Sequence, residues 1–353
     1  MHGLFLHCRT GFESECASEI QAQAAQLGIA GFCKAKPGAA YVVFVTQQAE
    51  EAAQLITNLP FEQLIFIRQW FRVLALVKDL DISDRIAGLM PALGGAPPSS
   101  ELFLETVDTN EGKELQTLCR KLDRPLRAAL KDAGALDGAA QGLRLHVCFL
   151  STTAAYAGIA PTANGSPQPM GIPRLRFPGG APSRSTLKLD EALITFLTPE
   201  QRAAQLQPGM RAVDLGAAPG GWTWQLASRG LNVIAVDNGA MSPALLSSGR
   251  VEHRREDGFR FRPEQPVDWM VCDIVEQPIR IAELAARWLC EGWCRYSVFN
   301  LKLPMRKRYA EVEQCLALVR GRLDKAGMDY RLGCKQLYHD REEVTVFVEI
   351  QRD

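Results

Sequence analysis

The chain has 353 residues, enough for two domains with separate cores, and its 47% apolar and 23% charged content is that of a soluble globular protein. No run of about 18 uncharged apolar residues occurs, which excludes a membrane-spanning helix. A formal net charge of +0 by itself says nothing for a nucleic-acid partner, and any such contact is expected to be a local patch and not a globally basic face.

Gly3–Arg9 reads as a first β-strand, because it lacks the basic start and long apolar core of a signal peptide. An amphipathic helix follows from Gly11 to about Leu27. Tyr41–Thr46 is β-rich, and Gln47–Asn58 is helical, stopped by Pro60. Leu64–Val77 fits a long or broken strand, and Ser83 an N-cap for a helix to Leu93. Glu101–Asp108 alternates as a strand. Gly112–Ala133 is helical, with Pro125 as a kink or boundary. Leu143–Leu150 and Thr153–Ile159 lie close enough to form a hairpin. Residues 1–160 are thus expected to be an α+β domain. Residues 161–182 carry six prolines and four glycines and read as a linker or an ordered extended loop.

From residue 183 the pattern becomes a regular α/β alternation: helix Ser183–Leu197, strands at 211–215, 232–236, 251–255, 267–272 and 296–301, and helices from Gly220, Ile279 and Arg306. Tyr330–Leu337 and Val344–Ile350 close the chain as a β pair. Their connection is short, so they are antiparallel. The expected fold is a Rossmann-like, mostly parallel seven-stranded sheet with an antiparallel last strand, over residues 183–353.

The stretch Asp214-Leu-Gly-Ala-Ala-Pro-Gly-Gly-Trp222 ends a strand, turns on small residues and opens a helix. Such a corner binds ligands in a doubly wound sheet, because glycine lets the backbone approach a ligand closely. Gly216, Ala218, Pro219, Gly220, Gly221 and Trp222 are the candidate contacts. Ligands sit at the carboxyl ends of strands, and here those ends carry Asp237, Asp257, Asp273 and Lys302. Asp237 lies 23 residues after Asp214, where an acid accepts from ribose hydroxyls. Asp257 suits an adenine amino group. A phosphate-binding loop would need Gly-Lys-Ser/Thr, and a nicotinamide dinucleotide Gly-x-Gly-x-x-Gly. Neither is present, so S-adenosylmethionine is the expected cofactor, with a dehydrogenase as the weaker reading.

Ser185 fits either an N-cap or a contact to the cofactor carboxylate. Trp222 and Trp224 fit either a base-stacking face or core. The ten cysteines are scattered without a Cys-x-x-Cys pair, so no metal site is expected and free thiols in a reducing cytosol are. Residues 1–170 hold 14 basic and 17 acidic residues, against 26 and 23 in the remainder. Basic residues cluster at Arg174–Lys188, Arg250–Arg262 and Lys302–Arg308, as phosphate grips or as solvated surface.

The 214–222 stretch resembles the cofactor motif of the FtsJ-type ribose 2′-O-methyltransferases. That family carries a Lys-Asp-Lys-Glu tetrad, and the resemblance assigns it to Lys188, Asp273, Lys302 and Glu343, with Glu342 adjacent. Arg9 to Ile20 is similar to the opening of THUMP-containing RNA methyltransferases. The whole arrangement resembles the methyltransferase M family of bacterial large-subunit ribosomal RNA enzymes. The resemblance implies a cytoplasmic monomer that methylates a cytidine ribose in 23S ribosomal RNA, with no membrane partner. It implies Lys302 as base, its pKa lowered by Lys188, with Asp273 and Glu343 orienting. The competing readings are a base-methylating THUMP-type enzyme and a non-catalytic RNA-binding module. Base methylation uses Asn/Asp-Pro-Pro-aromatic after the fourth strand, where this chain has Asp273-Ile274-Val275-Glu276.

Overall fold

A computed structural model describes residues 2–140 and 142–351, and the chain divides into two compact units, Met1–Ile172 and Pro173–Asp353. The first begins with β1 (Gly3–His7), α1 (Glu13–Gln26), β2 (Gly31–Ala35), β3 (Tyr41–Thr46), α2 (Ala49–Asn58) and β4 (Gln69–Val77). Their antiparallel order β2-β3-β1-β4 is a ferredoxin-like weave. There follow α3 (Arg85–Leu93), β5 (Glu101–Thr106), α4 (Asn110–Asp132), β6 (Leu143–Ser151) and β7 (Ala154–Pro161). The β6–β7 hairpin joins β4, extending the sheet to seven strands, β2-β3-β1-β4-β7-β6-β5.

Several local expectations are corrected, each for a visible reason. The strand expected from Leu64 starts only at Gln69, because the amides of Ile65, Phe66 and Ile67 donate to the buried Glu19 carboxylate and not to a strand. Ser83 is not the cap of α3: its amide and hydroxyl both bond Asp81 Oδ1 at 2.8 Å, and Asp84 instead accepts from Ala87 N at 3.0 Å. Pro125 leaves α4 unbroken, since Leu115, Cys119, Leu126 and Leu130 hold both halves against one core.

Pro161–Ile172 is not a linker but part of the first unit. Asn164 accepts from Phe61 N (2.7 Å) and donates to Ile56 O (2.7 Å) and Leu59 O (2.9 Å). The Met170 amide donates to the buried Glu105 carboxylate at 2.5 Å. These side chains satisfy backbone groups that no ladder reaches.

The second unit contains α5 (Thr186–Phe196), α6 (Pro199–Gln205), β8 (Arg211–Leu215), α7 (Gly221–Ala227), β9 (Asn232–Val236), α8 (Pro243–Leu246), β10 (Val251–Arg254) and β11 (Val267–Cys272). It continues with α9 (Pro278–Cys290), β12 (Cys294–Lys302), α10 (Arg308–Lys325), β13 (Tyr330–Lys335) and β14 (Glu343–Ile350). The order is β10-β9-β8-β11-β12-β14-β13, parallel from β10 to β12, with β14 antiparallel to both neighbours. The strand order reverses at β8, whose successors lie on opposite sides of it, β9 on one and β11 on the other. That switch point opens a crevice at the carboxyl edge. Helix α6, absent from the sequence reading, is started by a capping box between Thr198 and Gln201.

Candidate active site

The turn after β8 leaves no room for a Cβ at Gly216, Gly220 or Gly221. Gly216 stands at φ +77° and Gly220 at φ +113°, backbone regions that favour glycine. A Cβ on Gly221 would meet Ser185 Oγ at 2.1 Å and Ser183 Oγ at 2.4 Å. The Ala218–Pro219 peptide is cis. Asp237, at the end of β9, braces this turn: Oδ2 accepts from Ala218 N (3.0 Å) and Oδ1 from Gly239 N (2.6 Å). Beneath the turn, Asp214 accepts from Thr223 Oγ1 at 2.6 Å, while its Oδ1 is buried without a hydrogen-bond partner. Burial pushes the Asp214 carboxyl up to about 7.

Ser185 makes no side-chain cap to α5; its hydroxyl shares a 2.6 Å bond with Ser183 Oγ beside Gly221. Trp222 is 2% exposed and packs with Leu189, Leu193, Leu226 and Trp269, so its indole belongs to the core and is no stacking platform. Trp224 is partly buried against the cluster of Ala217, Ala235, Met241 and Leu245. Asp257 is exposed and caps its own loop, accepting from Phe259 N at 2.9 Å and lying 3.6 Å from Arg260.

The four tetrad candidates converge. Lys302, at the end of β12, donates to Asp273 Oδ1 (2.5 Å) and to Glu343 Oε2. Lys188, in the first turn of α5, lies 3.4 Å from Asp273 Oδ2 and also pairs with Glu343 Oε1. Each ammonium thus touches both carboxylates. Asp273 follows β11. Glu343 is brought to the same edge because β14 runs antiparallel, placing its first residue opposite Lys302. Glu342 points elsewhere: it is exposed and accepts from Arg308 Nη2 at 2.7 Å.

The expected lowering of the Lys302 pKa is not found. Burial works to lower it, but the Asp273 and Glu343 carboxylates outweigh burial, and the ammonium stands above its ordinary value of 10.5. For Asp273, burial works to raise the carboxyl, but the two lysines and the bond from Asn300 outweigh it and hold the pKa below the ordinary 3.8. At rest, then, the cluster is a closed set of charges.

Sequence reasoning missed the shell behind it. Asn300 donates to Asp273 Oδ1 at 2.9 Å, and Thr345 donates to Asn300 Oδ1 at 2.8 Å. Glu191 accepts from the Tyr338 and His339 amides at 2.7 and 2.9 Å, fixing the segment before β14 onto α5. Asn300 sits two residues before Lys302, on the same strand face. That period of two was the signal available. The Arg250–Arg262 cluster is partly spent internally: Arg250 donates to Gly230 O, and Arg254 pairs with Glu252.

A glycine turn at the switch point of a parallel sheet, facing interlocked lysines and acids, is the architecture of an FtsJ-like methyltransferase, and residues 181–302 match that family. Residues 1–71 match the RlmM ferredoxin-like domain, and residues 84–161 the N-terminal region of ribosomal RNA large subunit methyltransferase M. The enzyme of that name from Cellvibrio japonicus is 52% identical over 350 residues, 99% of this chain and 100% of its own. Those from Methylococcus capsulatus and Ectopseudomonas mendocina are each 53% identical, with 98% of both chains covered. The chain belongs to the ribosomal RNA large subunit methyltransferase M family. It is a ribosomal RNA methyltransferase, with S-adenosylmethionine as methyl donor. Among the described residues no helix is long and apolar enough to cross a membrane.

Proposed function

We propose that the enzyme methylates a cytidine ribose 2′-hydroxyl in 23S ribosomal RNA, working in the cytoplasm as a monomer. The observation that carries this reading is the interlock of Lys188, Asp273, Lys302 and Glu343 at the carboxyl edge of the sheet. A ribose hydroxyl is a poor nucleophile until it loses its proton, so the chemistry asks for a positioned base. A base-methylating enzyme has no such need, and the tetrapeptide it would use is missing at Asp273–Glu276.

The residues present fit the donor. The buried, unpartnered Asp214 Oδ1, the glycine-rich turn and the Ser183–Ser185 hydroxyl pair offer polar contact to an amino acid and a nucleoside, without a phosphate cradle. Gly216, Ala218, Pro219, Gly220, Gly221, the Trp222 backbone, Ser185 and Asp273 would hold its methionine end, Asp237 its ribose and Asp257 its adenine. S-adenosylmethionine supplies an electrophilic sulfonium methyl group.

Lys302 takes the hydroxyl proton onto Nζ. It must first give up its own proton, which Asp273 and Glu343 retain at rest, so transfer accelerates as pH rises. Lys188 competes for the same two carboxylates, and the second positive charge favours that loss. Asp273 and Glu343 fix where the amine points. The first unit is read as a THUMP-like RNA-binding domain. RNA also meets the loop after β12, where Met305, Arg306 and Lys307 are exposed between anchored ends: Leu303 N donates to Glu342 O, and Arg308 to Glu342 Oε2, both at 2.7 Å. Exposed apolar and basic side chains side by side suit an unstacked nucleotide and its phosphates.

The test is incubation with labelled S-adenosylmethionine and rRNA, with the label mapped by mass spectrometry. Ribose-methylated cytidine in 23S rRNA is expected; label on a base, or on no RNA, overturns the reading.

A further inference from the structure

Three fully buried side chains stand behind Asp273, and hydrogen-bond directions among them admit one assignment. Asn300 and Thr345 are 0% exposed and Asp340 1%. Asp273 is an ionised acceptor, so the Asn300 atom 2.9 Å from its Oδ1 must be the Nδ2 donor. Asn300 Oδ1 then faces Thr345 Oγ1 at 2.8 Å and can only accept. Thr345 has one hydroxyl hydrogen, and it is used there. The same Oγ1 lies 3.0 and 3.2 Å from the two carboxyl oxygens of Asp340. That contact is a hydrogen bond only if Asp340 supplies the hydrogen, so Asp340 is a neutral acid. Its Oδ2 also accepts from Leu337 N at 2.9 Å, which anchors the carboxyl in the β13–β14 connection.

We propose that Asp340 is a positioning residue: it donates to Thr345, Thr345 donates to Asn300, and Asn300 donates to Asp273. This one-way chain holds Asp273 Oδ1 against Lys302 Nζ. The proposal rests on the reading of Asp273 and Lys302 as reaction machinery. The sheet register supports it, since Asn300 pairs with Thr345 and Lys302 with Glu343 on one ladder, two residues apart on one face. One strand pairing therefore delivers both the acid that grips Lys302 and the hydroxyl that orients its other partner.

Electrostatics agrees. Burial raises the Asp340 carboxyl well above its ordinary value. The Glu343 charge adds to that, the Leu337 amide opposes it, the Glu191 charge again raises it, and Lys188 opposes. The charged and polar groups facing Asp273 are Lys302 and Asn300 on β12, Lys188 on α5, and the Asp214 carboxyl of β8.

The test compares Thr345→Val, Asp340→Leu and Asp340→Asn in the full-length enzyme, measuring kcat, S-adenosylmethionine affinity, thermal unfolding and the pH–rate profile. Thr345→Val removes the donor to Asn300 with little change in shape. It should lower kcat about tenfold, the worth of one buried hydrogen bond. It should also move the limb along which rate rises with pH to lower pH, because Asp273 is no longer held against Lys302 Nζ and raises the lysine pKa less. Asp340→Leu should do the same. Asp340→Asn should restore kcat, since its amide donates to Thr345 and its carbonyl accepts from Leu337 N. If Asp340→Asn is as impaired as Asp340→Leu, or folded Thr345→Val keeps the wild-type kcat and rising limb, the chain of donors is wrong. Should Asp340→Leu fail to fold, Thr345→Val and Asp340→Asn still decide. Wild-type enzyme in the same assay separates the two readings: absent ribose methylation there defeats the proposed reaction, whatever the variants do.

Discussion

Lys302 and Glu343 are register partners on the β12–β14 ladder, and their side chains meet at the carboxyl edge of the sheet. A neighbouring carboxylate stabilises an ammonium, so the pairing costs Lys302 its readiness as a base. Lys302→Ala should retain S-adenosylmethionine binding and lose about 10²- to 10⁴-fold in methyl transfer. Glu343→Gln removes one of the two carboxylates that raise the Lys302 pKa, so the limb along which rate rises with pH should move to lower pH. A pH–rate profile with that limb unmoved, or moved upward, would contradict Lys302 as the base.

Gly221 leaves no room for a methyl group, since a Cβ there would strike both Ser183 Oγ and Ser185 Oγ. Gly221→Ala should weaken S-adenosylmethionine binding by about tenfold or more, roughly 1.4 kcal/mol. Isothermal titration of the folded variant checks this; unchanged affinity would remove the hydroxyl pair from the cofactor site.

Arg306 and Lys307 are exposed on a loop pinned at both ends. The double variant Arg306→Ala/Lys307→Ala should weaken RNA binding across sequences. It should also reduce the salt dependence of log Kd by about 1.4 to 1.8, according to whether the contacts are single- or double-stranded. Binding measured across a salt series gives the slope; an unchanged slope places the RNA elsewhere.

Asn164 satisfies three backbone groups around the end of α2. Asn164→Ala should destabilise the first unit by roughly 1–3 kcal/mol, because those groups are left unpaired. Denaturant unfolding followed by Trp70, whose indole donates to Asn164 O, reports it.

The α/β alternation was legible because the parallel strands β8, β9, β11 and β12 are largely apolar runs ended by a glycine, acid or lysine. The meeting of Lys188, Asp273, Lys302 and Glu343 was legible through a family likeness that supplied their order. Which of the two glutamates meets the lysines was not, because only strand register separates Glu343 from Glu342. Asp257 fitted the rim by spacing, yet its visible bonds lie within its own loop. The proline-rich stretch misled because composition reports chain stiffness and turns, while Asn164 and Met170 bond partners distant in sequence. The Lys302 pKa was misjudged by weighing one neighbouring cation and omitting two anions that both touch it.

The last strand of the chain is not at the edge of its sheet. β14 lies between β12 and β13, and among the described residues β13 bonds no other strand. Until β14 is in place, β12 remains an open edge and β13 has nowhere to dock. A ribosome making this enzyme must therefore release nearly the whole second unit before its sheet can close. Lys302 acquires its opposing carboxylate, and Asn300 its hydroxyl, in that same closing step. Completion of the fold and assembly of the site thus become one late event, and a chain caught before it carries the glycine turn and both lysines without the order that makes them useful.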